Sequence, residues 1–114
     1  MIDTFTVLNK LINLLEKNNI YYTIGGNTGL LLQNVKVKDD KEIDICTTKT
    51  GAYKIQKLLD KYTVDEVKYK KLDWFKAHWG IFKINSITVE IMGNPKRKFE
   101  DGSWRGLPLS LIHI

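Results

Sequence analysis

Apolar positions along this chain follow two different periods, and the switches between them divide it into elements. From Thr4 to Asn18, Phe5, Leu8, Leu11, Ile12 and Leu15 recur mainly at steps of three and four, the stripe of an amphipathic helix. Asp3 or Thr4 offers an N-cap, Asn18-Asn19 a stop, and Lys10 and Lys17 belong to the wet side. Ile20 to Ile24 is a short apolar run that ends at Gly25-Gly26 and reads as a strand. A short helix over Asn27 to Gln33 and a polar loop over Val35 to Lys41 follow. Glu42-Ile43-Asp44-Ile45-Cys46 then alternates strictly. A strand has a side-chain period of two, so Ile43 and Ile45 face a core while Glu42, Asp44 and Cys46 point the other way. Gly51 to Tyr62 returns to helical spacing, with Ile55, Leu58, Leu59 and Tyr62 on one side and Lys54, Lys57, Asp60 and Lys61 exposed.

From Val64 onward the pattern is β. Val64, Val67, Tyr69 and Leu72 fit one irregular strand with Asp65 and Glu66 at its start. Ala77 to Ile84 and Ser86 to Met92 form a hairpin around Asn85-Ser86, a turn-forming pair. In its second strand the β-branched Ile87, Val89 and Ile91 face the core, which turns Glu90 outward with Thr88 and Met92. Lys96-Arg97-Lys98 reads as a basic turn, Asp101-Gly102 as a hairpin signal, and Leu107, Leu109 and Leu111 as a final strand-like run. The expected architecture is α+β: a mixed, mostly antiparallel sheet of about five strands with helices packed on one face.

A length of 114 residues allows one domain with a single modest core. No apolar run approaches the roughly 20 residues of a membrane span, and the N-terminus lacks the pattern of a secretion signal. Cys46 is the only cysteine, which excludes an internal disulfide and a cysteine-based zinc cluster. A cytoplasmic location is the consistent expectation. The formal charge of +5 makes anionic partners such as nucleotides or nucleic acid plausible. Lysine excess is also an ordinary route to solubility, and only Arg97 and Arg105 are arginines.

Two stretches carry candidate chemistry. Glu42 and Asp44 on one strand face repel each other unless something positive neutralises them, and a divalent metal would do so. Gly25-Gly26 lets backbone approach a bulky anion, and a helix starting at Asn27 would aim free N–H groups at it. Each feature has a plain alternative: a strand-to-helix turn, a helix cap at Asn27 or Thr28, a half-wet strand bearing Glu90. Cys46 reads as a packing residue. His78 lies between Trp74 and Trp79 and is more simply a packed histidine than a nucleotide contact.

Ile24-Gly25-Gly26-Asn27-Thr28-Gly29-Leu30, then Glu42-Ile43-Asp44-Ile45, then Glu90 on a later strand resembles the nucleotidyltransferase superfamily, in particular its minimal and small antibiotic-modifying members. That family combines a strand, Gly-Gly or Gly-Ser, a short helix, an Asp-x-Asp strand and a third carboxylate. The resemblance covers about Ile20 to Met92 and departs at Glu42, where the family usually has Asp. It implies transfer of a nucleoside monophosphate from an NTP, ATP by preference, to an acceptor hydroxyl on a small molecule, a protein or an RNA end. Glu42, Asp44 and Glu90 would be the catalytic and metal-ligating residues for Mg²⁺ or Mn²⁺, with Glu90 also able to take the acceptor's proton. Gly25, Gly26 and Asn27 would hold phosphates, and Lys38 matches a basic residue the family often places before its acidic pair. A solvated loop lysine is at least as good a reading of Lys38. Relatives usually continue into C-terminal helices, so residues 1–114 would be a single such domain without that extension, its last strand open to a second copy or a protein partner. Two other readings remain: a non-catalytic, antitoxin-type binding relative, and a basic nucleic-acid-binding α/β domain.

Overall fold

The computed structural model describes residues 4–24 and 42–106. Its elements are α1 (Thr4–Lys17), β1 (Tyr22–Ile24), β2 (Glu42–Thr47), α2 (Lys49–Leu58), a 3₁₀ turn (Asp60–Tyr62), β3 (Thr63–Lys71), β4 (Phe75–Ile84), β5 (Ile87–Lys98) and β6 (Trp104–Gly106). They form one six-stranded sheet in the order β1-β2-β5-β4-β3, with β6 also on β5. Among the described strands β2 and β5 run parallel, and the other pairings are antiparallel. The expected α+β architecture is therefore present, with six strands among the described residues where about five were expected. Gly25, Gly26, Asn27 and Lys38, the predicted short helix, and the run Leu107, Leu109, Leu111 lie outside the described residues.

Both described helices pack on the same side of the sheet. Val7, Leu11 and Leu15 of α1 join Ala52, Ile55 and Leu59 against Ile43, Ile45, Val89 and Ile91. This is the face that strand alternation assigned to the core. Phe5, expected in the α1 stripe, is 74% exposed, and Val7 takes the inward position instead. The Tyr22 hydroxyl donates to Glu16 at 2.6 Å and ties the end of α1 to the sheet. Burial and the neighbouring Glu16 carboxylate push that phenol up to about 12.

α2 starts and stops earlier than its periodicity suggests. Thr48 caps it by accepting a hydrogen bond from the Gly51 N–H at 2.9 Å, which satisfies one of the free amides of the first turn. Leu58 is exposed while Leu59 is buried in the core. Gln56, a polar residue on the inner side, earns its burial: its Oε1 accepts from Val67 N–H at 2.8 Å, and its Nε2 donates to Asp60 and Thr63.

The β4–β5 hairpin turns at Asn85-Ser86, both at positive φ (51° and 72°), the geometry that matches strand twist. The basic turn expected at Lys96-Arg97-Lys98 is instead strand, because β5 runs through to Lys98. Register with β4 shifts between Lys76 and His78, opposite Asn94 at φ 50° and Pro95. A bulge there absorbs a Gly-Asn-Pro sequence that would otherwise end a strand.

Candidate active site

The face of the sheet turned away from the helices carries the acidic residues. Parallel register sets Glu42 beside Thr88, Asp44 beside Glu90, and Cys46 beside Met92. Neighbouring strands lie about 4.8 Å apart, so Asp44 and Glu90 stand next to each other on one surface. Both are half-buried, whereas Glu42, at the start of β2, is exposed. Among the described residues no three His, Cys, Asp or Glu groups gather into a preformed metal cage. The geometry singles out a pair of carboxylates, with the third acid one step along the strand.

A small apolar layer, Cys46, Phe75, Ala77 and Met92 with Trp79 against it, floors the same face. Cys46 is fully buried there, as its reading as a packing residue requires. The Thr23 hydroxyl of β1, in register with Cys46, is buried without a hydrogen-bond partner among the described residues. Trp79 reaches from this layer to the acids: its indole Nε1 donates to Glu90 Oε2 at 2.7 Å. A donor to an ionised carboxylate makes one of the stronger hydrogen bonds, and here it fixes one Glu90 oxygen. Nothing in the sequence marked Trp79 for this role beyond its place on a strand. Lys70 sits 5.9 Å from the Trp79 ring centroid and also pairs with Asp65. Lys70 and Lys68 hold the Asp65 carboxyl below its usual range.

His78 lies on the other side of the sheet. Its Nδ1 is 2.9 Å from the Tyr53 hydroxyl of α2, with Tyr53 and Tyr69 rings packed around it. Burial, helped by the Lys49 charge, pulls the His78 pKa below its ordinary value. It is a packed histidine, remote from the carboxylates.

The family model for aminoglycoside-2''-adenylyltransferase matches residues 7–106, a span that includes every described strand. The chain belongs to that family. A crystal structure from Thermotoga maritima, provisionally described as a nucleotidyltransferase, superposes with a TM-score of 0.74 at 30% identity. The match covers 90% of this chain and 63% of the Thermotoga chain. No curated protein matches the sequence. Family membership and fold therefore place the chain in the nucleotidyltransferase superfamily, as its Gly-Gly and acidic-strand pattern implied.

Proposed function

We propose that this chain transfers a nucleoside monophosphate from an NTP to an acceptor hydroxyl, with Asp44 and Glu90 at the centre of the site. The observation that carries this reading is their lateral register on adjoining parallel strands, on the face turned away from the described helices. The donor set suits a hard divalent ion, being all-oxygen and paired. Asp44 and Glu90 would hold Mg²⁺ or Mn²⁺ with Glu42 beside them, and the bound ion would neutralise triphosphate charge.

The chain's own residues supply the rest. Trp79 fixes one oxygen of Glu90, which leaves the other to accept a proton from the attacking hydroxyl. Phe75, Ala77 and Met92 form an apolar layer beside the acids on the same face. Gly25, Gly26 and Asn27 would cradle the phosphates, and Lys38 would add positive charge. Glu42 brings a carboxylate one methylene longer than the family's usual Asp.

Thermal melting of wild type and Asp44→Asn, with and without Mg²⁺ plus ATP, tests the site. Wild type should be stabilised by about 2.7 kcal/mol at ligand a hundredfold over its dissociation constant, and Asp44→Asn should lose that response. Pyrophosphate release with an added acceptor then separates a transferase from a relative that only binds nucleotide. A wild type unresponsive to metal and ATP, with a mutant that is merely weaker, would make Asp44 structural.

A further inference from the structure

Beyond α2, among the described residues, the helix-bearing side of the sheet ends in a row of lysines, Lys71 exposed and Lys76 and Lys96 half-buried. Lys71 of β3 is in direct register with Lys76 of β4, and Lys76 with Lys96 of β5. Like charges directly opposite on neighbouring strands destabilise a sheet, yet three stand in one row across it. Among the described residues no carboxylate forms an ion pair with any of them. Trp104 of β6 draws charge together instead: the Lys71, Lys76 and Lys98 ammonium groups lie 5.9, 4.3 and 5.9 Å from its ring centroid. The negative ring face attracts cations but neutralises none of them. Next along β3, Tyr69 points to the same side and is 53% exposed.

We infer that this lysine row binds single-stranded nucleic acid, phosphates along Lys71, Lys76 and Lys96 and a base against Tyr69. Lysines are point charges suited to phosphate without sequence reading. A linear array matches a linear polyanion, and an exposed ring beside it is the stacking platform of single-strand binders. An acidic protein would meet the charge but has no use for the ring. The site is on the opposite face from Asp44 and Glu90 and does not depend on nucleotidyl transfer.

Fluorescence anisotropy with a labelled single strand of roughly 15 nucleotides, between about 50 and 200 mM salt, reads it. The Lys76→Ala/Lys96→Ala double variant should bind at least about fivefold more weakly and flatten the log–log salt slope by about 1.4. Lys68→Ala/Lys83→Ala, equal in charge change but on the carboxylate face, should lose less than about twofold. Tyr69→Ala should weaken binding with an unchanged slope. Removing self-repelling lysines should leave the melting temperature level or higher, so misfolding does not cloud the comparison. No binding at the lowest salt, equal losses for both lysine pairs, or equally tight binding of a polyglutamate peptide would overturn the proposal.

Discussion

Gly93→Ala isolates how closely α2 is seated behind the site. Gly93 follows Met92 on β5 and pairs with Thr47 of β2. A Cβ built there would come within 2.6 Å of the Ala52 Cβ and 2.9 Å of the Thr48 carbonyl oxygen. Its φ is not among the positive values, so the backbone itself would accept alanine. On conformational entropy alone the substitution should stabilise by about 0.4–1 kcal/mol. The contact overrides that gain, because both atoms lie well inside van der Waals distance and one belongs to backbone. Overpacking of this kind costs about 1–3 kcal/mol, and with two contacts the upper end is expected. At about 4 °C per kcal/mol for a domain this size, the melting temperature should fall by about 10 °C. Ala52→Gly removes the closer contact at about 1 kcal/mol of helix propensity. In the double variant it should return part of the loss, a coupling of at least about 0.5 kcal/mol in a melting-based double-mutant cycle. A Gly93→Ala protein as stable as wild type, or an additive cycle, would refute the packing argument.

Three further outcomes can be checked by melting or denaturant titration. His78, with its folded pKa depressed below 6.5, binds its proton later than in the unfolded chain as pH falls; stability should therefore be full above about pH 6.5 and decline below it. His78→Gln should flatten that decline, whereas a slope unaltered by the substitution would assign it elsewhere. Gln56→Leu strands the buried Val67 N–H and should cost about 2 kcal/mol, so a neutral result would show that the amide finds another partner. Ser86→Gly relieves a left-handed serine at φ 72° and should add about 1 kcal/mol; a melting temperature that does not rise would mean that Ser86 bears no strain.

The local parts of the site were legible because strand alternation is a strict rule. Ile43 and Ile45 fixed the outward face of Glu42 and Asp44, and Ile87, Val89 and Ile91 did the same for Glu90. What alternation cannot give is which strands adjoin. The parallel pairing that sets Asp44 beside Glu90 joins segments separated by a helix and two strands, and no local pattern reports it. Trp79 was missed for a different reason: the hairpin was expected, but its register sets Ile81 opposite Glu90, and the indole reaches that carboxylate diagonally. The extension of β5 to Lys98 was hidden by Gly93-Asn94-Pro95, a breaker sequence that the bulge accommodates. Phe5 misled because hydrophobicity argues for burial, while the angular position of Val7 decides which side of α1 meets the sheet.

β5 occupies the middle of the sheet, held by its hairpin partner β4 on one edge and by the distant β2 on the other. The hairpin can close as soon as its two strands exist, for it needs only a two-residue turn. Pairing β5 with β2 must instead close a loop through much of the chain, a slower and entropically later event. The carboxylate pair therefore exists only once that last seam is shut. A half-folded chain would carry a complete hairpin with Glu90 and Trp79 in contact, yet Asp44 would still be absent from its side. Activity that needs Asp44 and Glu90 together, as proposed, is thus also a gauge of finished folding.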